Sequence, residues 1–369
     1  MKLTDLQKHS IEALKHLQAF LRTNSIDAFL VTDHHNVRYL TTFTGSAGTC
    51  LVFKDQSFFL TDFRYKTQAR DEVVNSDIIV FKGNLFDFIK RRFFKSSRKA
   101  KMAVEDSLSI KDFDEIAQKL SNLKIEKTSR VIEKLAAVKS NVEVDLITQA
   151  GKTSEQALNK LFEKSIVGKT EKELAATIEY NQKLFGASKE SFDTIVASGI
   201  RGAMPHGIAS DKLVEKNELV TFDFGAFYKG YASDITRTFR TGKKIDSVLI
   251  NVFKIVLDAQ RRAIEKGKAG VAAREVDRAA RDYITRKGYG KFFGHGTGHG
   301  IGLRIHELPR ISQNSDDILV EGNVITIEPG IYLPGIGGVR IEDDFLVTSD
   351  GLRSLTDFPK DIDYYLKAR

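Results

Sequence analysis

Apolar positions recur every three to four residues over several long stretches of this 369-residue chain. That period predicts amphipathic helices over residues 5–23, 247–267 and 272–287. Another helix is predicted after Thr170, because Thr170 and Glu173 form the Thr-x-x-Glu pattern of a capping box. Short apolar runs bounded by Gly, Asn or Asp predict strands between the helices. These runs cover residues 28–32, 57–61, 194–198, 219–224, 324–327 and 345–348.

The order of these elements predicts two domains. Strand and helix patterns alternate up to about residue 131, and a long helical pattern begins beyond it. A single hydrophobic core stops growing well below 369 residues. We therefore expect a smaller α/β domain over residues 1–131 and a larger domain over residues 132–369.

Composition places the chain among ordinary globular proteins, with 41% hydrophobic and 29% charged residues. The sequence has no apolar run of 18 residues and no signal-peptide pattern at its start, so we expect a cytoplasmic protein without membrane association. The single cysteine, Cys50, lies in the apolar run GTCLVF. A small buried thiol is the expected role of such a cysteine.

The net charge of +8 is concentrated in the first third, where residues 1–130 contribute +6. Much of that excess lies in residues 90–101, a basic run that contains Phe93 and Phe94. A nucleic-acid site is one interpretation of this pattern. A helix end with both Phe side chains packed inward, followed by a solvated loop, is preferred, because no recognised nucleic-acid motif accompanies the run.

Two aspartates in the second half are candidate ligands. Asp223 lies in the apolar run TFDF, and Asp234 follows a Gly/Tyr turn, so adjacent strands of a hairpin would present both carboxylates together. A buried carboxylate between two Phe residues needs a metal, a cation or hydrogen-bond donors. For either aspartate alone, backbone hydrogen bonds at a turn explain the residue as well as a metal does.

A glycine-rich segment, GHGTGHGIG at residues 294–302, contains His295 and His299. Glycine lets the backbone approach a ligand closely, so this segment is expected to face a site. It lacks the Gly-Lys-Ser/Thr ending of a phosphate-binding loop. His306 and Glu307 follow, but Arg310 stands where the zinc-protease pattern His-Glu-x-x-His needs its second histidine.

Two further acids, Glu328 and Glu342, follow apolar, strand-like residues. With Asp223 and Asp234 they make four carboxylates, which in one cavity would raise the pKa of one another unless cations intervened. Two divalent ions would balance four negative charges. With one histidine nitrogen, this set would suit Mn²⁺, Co²⁺ or Zn²⁺.

The ordered set Asp, Asp, His, Glu, Glu and the motifs around it resemble the pita-bread metallopeptidases. This family includes methionine aminopeptidase, Xaa-Pro aminopeptidase and Xaa-Pro dipeptidase. Residues 39–48 and 61–65 resemble the short bacterial Xaa-Pro aminopeptidases, whereas methionine aminopeptidases lack this domain. The resemblance implies an α+β fold, a pita-bread catalytic domain preceded in the chain by the smaller α/β domain.

The resemblance also implies the chemistry. The expected activity is hydrolysis of the Xaa-Pro bond at the N-terminus of peptides by a hydroxide that bridges two divalent ions, with Mn²⁺ as the first expectation and Co²⁺ or Zn²⁺ as alternatives. An Xaa-Pro dipeptidase is the alternative enzyme, and a noncatalytic binding protein of the same fold is a further one. A homodimer that acts on proline-containing peptides is expected.

The family's functional residues map onto this sequence position by position. In this mapping Asp223 chelates one metal ion, His299 and Glu328 bind the other, and Asp234 and Glu342 bridge them. Glu328 would also relay a proton. The residues expected to line the substrate site are His206, His295, His306 and Arg340. At the domain junction, residues 135–139 read LAAVK where the family has Leu-Arg-x-x-Lys, and this departure is interpreted as remote from the site.

Overall fold

The computed structural model describes residues 3–95 and 100–367. The chain divides between Ala136 and Ala137 into two compact units. Among the residues described, none of the helices combines the length and the apolar character needed to cross a membrane.

The first unit contains one mixed six-stranded sheet. Its strands are Ala28–Val31 (β1), Gly48–Phe53 (β2), Ser57–Thr61 (β3), Asp77–Val80 (β4), Lys101–Val104 (β5) and Lys124–Lys127 (β6). Its helices are Asp5–Thr23 (α1), His34–Thr41 (α2), Lys66–Glu72 (α3), Leu85–Phe93 (α4), Ile110–Lys119 (α5) and Val131–Ala136 (α6). The strand order is β4-β3-β2-β1-β5-β6. Strand β1 is apolar and buried at all four positions because it lies inside the sheet.

Local sequence explains the first unit's elements. Helix α1 begins after a capping box formed by Thr4 and Gln7, and it buries Leu14, Leu17 and Leu21 on one face. The predicted helix over residues 5–23 is thus confirmed, as is the burial of Cys50.

The basic run begins inside helix α4. That helix ends at Phe93, and both Phe93 and Phe94 pack into the unit's hydrophobic core, as predicted. Residues 96–99 of the run lie outside the described residues.

The second unit repeats one arrangement, a pair of helices followed by antiparallel strands. Its helices are Asn141–Phe162 (α7), Glu171–Leu184 (α8), Ser247–Lys266 (α9), Ala273–Arg286 (α10) and Tyr364–Lys367 (α11). Its earlier strands are Lys189–Glu190 (β7), Ile195–Ser198 (β8), Leu219–Phe224 (β9), Ala226–Tyr228 (β10), Tyr231–Ala232 (β11) and Ile235–Arg240 (β12). Its later strands are Gly298–Gly300 (β13), Glu307–Ile311 (β14), Val324–Ile327 (β15), Gly330–Leu333 (β16), Gly337–Arg340 (β17), Asp343–Val347 (β18) and Leu352–Ser354 (β19).

Each helix pair covers one face of a sheet. The apolar faces of α7 and α8 share a core with the sheet β12-β9-β8, and those of α9 and α10 share a core with the sheet β14-β13-β15-β18-β19. Strands that are covered by helices on one side can expose their other side to a site, where polar side chains alternate with core residues. The polar residues of the second unit's motifs lie on such strands.

Candidate metal centre and substrate site

Strands β9 and β12 bring the two aspartates together. They pair antiparallel with Asp223 opposite Thr236, and Asp234 lies two residues before Thr236. Residues opposite each other or two apart share a face of the sheet, so both carboxylates point the same way. The hairpin prediction is correct in the pairing but incomplete in the connection, because the chain forms the hairpin β10-β11 before it enters β12.

The two glutamates come from the later strands. Glu328 directly follows β15, and Glu342 lies between β17 and β18. Glu342 is tied to the earlier sheet by Thr236, whose hydroxyl donates to the Glu342 carboxylate at 2.7 Å and whose carbonyl accepts from the Glu342 amide at 3.0 Å. Thr236 therefore connects the two halves of the unit at the site.

His299 in β13 faces the carboxylates. Its Nε2 lies 3.6 Å from an oxygen of Glu328 and 3.7 Å from an oxygen of Asp234. Its Nδ1 lies 3.0 Å from the carbonyl oxygen of Gly300, which can only accept, so Nδ1 carries the proton and Nε2 keeps a free lone pair. Burial lowers the pKa of His299 to about 4, which keeps this imidazole neutral at pH 7 and suited to metal binding.

Negative charge at the cluster is not balanced by protein groups alone. Burial and then the other carboxylates raise the pKa of Asp234 and of Glu328 well above their usual values, and they raise that of Glu342 to about 8. Among the described residues, one buried oxygen each of Asp223, Asp234 and Glu342 has no hydrogen-bond partner. Orphaned buried oxygens of this kind are costly unless a cation occupies the site.

A divalent cation fits this donor set. Ligand atoms of Asp234, His299 and Glu342 lie within 4.8 Å of one another. The full set of four carboxylates and one neutral imidazole is oxygen-rich and hard, which favours ions such as Mn²⁺, Co²⁺ or Zn²⁺ over copper.

One hydrogen-bonded chain joins the glycine-rich segment to the carboxylates. The Nε2 of His295 lies 2.8 Å from the hydroxyl of Tyr332, which accepts from Arg340 at 2.9 Å. Arg340 also donates to Asp223 at 2.5 Å and to the carbonyl of Pro205 at 3.1 Å. The cation that sequence analysis placed in the substrate site is thus also the ion-pair partner of Asp223.

The other two predicted histidines lie nearby. The ring of His306 contacts that of His299, with centroids 4.4 Å apart. Burial lowers the pKa of His306, and the charges of His206 and Arg310 lower it further. The structure therefore brings together all nine residues that the sequence singled out.

Tyr332 and Arg310 are also polar residues of this site, although the sequence did not mark them as such. Tyr332 lies in the IEPGIY motif, where an alternating strand pattern could have placed it on the face of Gly330. Arg310 is exposed and lies opposite His299 in the pairing of β13 with β14, so both side chains share a face. Only the register reveals this, because the two residues are eleven positions apart in the chain.

A buried ion pair supports the segment that carries His306. Lys139 and Glu307 are 2.8 Å apart, with side chains only 1% and 7% exposed. Glu307 also accepts from the amide of Arg304 at 2.9 Å. Within residues 135–139 only Ala136 departs from the family's pattern, whereas Lys139 keeps the family's lysine and contacts the neighbour of His306.

Two family models match the chain. Residues 14–138 match the Creatinase/Prolidase N-terminal domain, and residues 145–349 match Metallopeptidase family M24. The chain belongs to metallopeptidase family M24. This confirms the expected resemblance and the α+β fold, in which a pita-bread catalytic domain follows a smaller N-terminal domain.

Several proteins similar to this M24 chain are named Xaa-Pro dipeptidase or X-Pro aminopeptidase. An Xaa-Pro dipeptidase from Pyrococcus horikoshii is 40% identical over 348 residues, which cover 94% of this chain and 97% of that protein. The structure of an Xaa-Pro dipeptidase from Bacillus anthracis superposes with a TM-score of 0.91 at 41% identity, covering 96% of this chain and 99% of that one. An X-Pro aminopeptidase from Thermotoga maritima has a TM-score of 0.86 at 39% identity, covering 92% and 98%.

Proposed function

We propose that this chain hydrolyses the peptide bond between an N-terminal residue and proline in a reaction that depends on divalent metal ions. The observation that carries this proposal is the convergence of three buried carboxylates, the partly buried Glu328 and the neutral His299 beside three further histidines and Arg340. The names of its relatives in family M24 point to the same bond.

Five residues would hold two ions, with Mn²⁺ proposed first. Asp223 would bind one ion, His299 and Glu328 the other, and Asp234 and Glu342 both. When bound, these ions supply the Lewis acidity that activates water and polarises the scissile carbonyl.

The other polar groups act on the substrate directly. His306 and His206 donate hydrogen bonds to the carbonyl oxygen as it gains negative charge. Glu328 accepts a proton from the attacking water at a carboxylate oxygen and returns it to the proline nitrogen, which leaves as a secondary amine.

Proline itself explains the need for a dedicated site. An Xaa-Pro amide has no N–H, and the proline ring fixes φ, so enzymes that bind substrate as a β-strand lose a donor. A site that instead grips the chain end and the carbonyl avoids this loss.

We propose dipeptides as the preferred substrates, ahead of the longer peptides that the sequence favours. Arg310 is exposed, shares a face with His299 and is close enough to lower the pKa of His306. A cation there suits the free carboxylate on the proline of an Xaa-Pro dipeptide, which in a longer peptide is tied up in an amide bond. The aminopeptidase remains the second candidate, supported by the relative from Thermotoga maritima.

The test compares an Xaa-Pro dipeptide with an Xaa-Pro-Xaa-Xaa peptide, using metal-stripped protein restored with Mn²⁺, Co²⁺ or Zn²⁺. We expect faster cleavage of the dipeptide, and we expect Arg310→Ala to raise KM for the dipeptide roughly tenfold while leaving the longer peptide unaffected. Arg353→Ala, on the exposed strand β19, is the control for loss of an arginine. Faster cleavage of the longer peptide would identify an aminopeptidase, and no cleavage with any ion would refute the proposed function.

We also propose a homodimer, as the family resemblance implies. Sedimentation equilibrium of the full chain tests this proposal, and a mass near the 41.4 kDa of one chain would contradict it.

A further inference from the structure

The loop between β8 and Ser210 carries His206 to the substrate side of the site, yet apolar packing holds little of it. The loop begins with a 3₁₀ turn at Gly199–Ala203, directly after Ser198. Its large apolar side chains point outward and are exposed by 50% or more: Ile200, Met204 and Ile208. Polar contacts must therefore fix the position of His206.

A single buried carboxylate holds both ends of this loop. Glu171 is the first residue of helix α8 and is 0% exposed. One of its oxygens accepts from the amide and the hydroxyl of Ser198, both at 2.8 Å. The other accepts from the amide and the hydroxyl of Ser210, at 3.0 and 2.6 Å, and from Arg201 at 2.9 Å. Five hydrogen bonds thus converge on one side chain.

These hydrogen bonds of Glu171 fix the loop and do not cap helix α8. Cap hydrogen bonds of α8 come from Thr170 and Glu173, which form the capping box that the sequence predicts. Glu173 is exposed, whereas Glu171 is turned inward onto the loop. A buried carboxylate is costly, and five donors at a helix N-terminus offset that cost.

The tip of the loop is held from the opposite side. Arg340 donates to the carbonyl of Pro205, the neighbour of His206, and pairs with Asp223. The loop backbone also lies directly against β17, since a Cβ atom added to Gly338 would be 2.0 Å from the carbonyl oxygen of Gly202. The loop is therefore anchored at its ends by Glu171 and at its tip by the site itself.

We propose that Glu171 is a positioning residue that sets where His206 meets the substrate. This inference rests on the proposed function, because His206 donates to the substrate carbonyl there. Glu171 touches neither the substrate nor a proposed metal ligand, so its loss should affect catalysis only through His206.

A double-mutant cycle tests this dependence. We expect Glu171→Ala to lower kcat/KM for an Xaa-Pro dipeptide by roughly ten- to a hundredfold, the usual cost of a misplaced group, with unchanged bound metal. In a His206→Ala background the same change should cost less than about threefold, because the residue it positions is gone. Glu173→Ala, in the same turn of the same helix, is the control for helix stability. An equal loss in both backgrounds, or an equal loss in the control, would overturn the proposal.

A second measurement does not need activity. Met204→Cys places a nitroxide label on the loop, and the buried Cys50 should not react, since burial raises its thiol pKa. We expect Glu171→Ala to narrow the spectrum of this label and Glu173→Ala to leave it unchanged. Ser210→Ala, which removes one hydroxyl donor, replaces Glu171→Ala if that variant does not fold. An unchanged spectrum overturns the proposal, whereas a mobile label in a protein without Xaa-Pro activity supports it and refutes the proposed function.

Discussion

His299 and His306 are in contact, yet we predict that they have different roles at the site. His299 directs a free nitrogen at Glu328 and Asp234, whereas the ring of His306 packs edge to face against the ring of His299. We expect His299→Ala to lose bound metal. We expect His306→Ala to keep its metal and to lose about 10²- to 10³-fold in kcat, because a donor to the oxyanion is worth roughly 3 kcal/mol.

Metal content by mass spectrometry and kcat at saturating metal separate these two roles. His16→Ala, at an exposed position of helix α1, is the control for removal of an imidazole. The assignment of roles is wrong if His306→Ala loses as much metal as His299→Ala, or if it turns over substrate at the full rate.

Individual site residues could be predicted from the sequence where a short motif surrounds them. The family's motifs mark each proposed ligand within a few neighbours, so Asp223 and His299 could be named from the sequence. Arg310 could not, because it reaches the face of His299 only through the register of β13 with β14. Tyr332 was missed for a related reason, since its partners His295 and Arg340 come from other elements.

At the scale of elements, strand β13 is built to hold His299 against the neighbouring strand. A Cβ atom added to Gly298 would lie 2.0 Å from the carbonyl oxygen of Thr326, which cannot move without moving β15. We expect Gly298→Ala to lower the free energy of unfolding by about 1–3 kcal/mol and to weaken metal binding, because β13 must shift with His299.

Gly294→Ala is the matched control, since a Cβ atom there meets nothing within 4 Å. It should change stability by less than about 0.5 kcal/mol. Urea unfolding of metal-free protein and titration with Mn²⁺ measure the two effects. Equal behaviour of the two variants would show that the close contact with Thr326 does not position β13.

Helices with a long hydrophobic period could be predicted from the sequence, whereas strands of two or three residues could not. Helix α1 begins and ends within the predicted range, and the capping box of α8 lies where the sequence predicts it. Helix α7 begins at Asn141, where Ser140 and Glu143 form another capping box. The hairpin β10-β11 was not anticipated, since strands of two or three residues carry almost no periodic signal.

At the scale of the whole molecule, the site makes the free energy of unfolding depend on pH and on bound metal. In metal-free protein the folded state retains protons on Glu342, whose pKa is raised to about 8, and on Asp234 and Glu328, whose pKa values are also raised well above normal. The unfolded chain releases these protons near pH 4.5. Stability from these groups is therefore greatest below that pH and is lost as the pH rises through the folded pKa values.

The buried histidines change the free energy of unfolding with pH in the opposite direction, and they do so at lower pH. Burial lowers the pKa of His295 and of His299 to about 4, so between about pH 4 and 6.5 the unfolded chain binds protons that the folded chain does not. Their contribution makes stability rise with pH in that range. Above about pH 6.5 only the carboxylates remain, which makes pH 6.5 to 8 the informative window.

In that window we expect the metal-free protein to lose about 1 kcal/mol of unfolding free energy per pH unit for each protonated carboxylate. Added Mn²⁺ displaces these protons, so the stabilisation that the ion provides should grow as the pH rises. Urea unfolding at pH 6.5, 7.25 and 8.0, with a chelator or with Mn²⁺, measures both trends. Glu342→Gln should flatten the metal-free slope, because it removes one titrating group while keeping the side chain's shape. A metal-free stability that rises between pH 6.5 and 8, or a metal contribution that stays constant, would mean that the buried carboxylates are already charged and balanced without an ion.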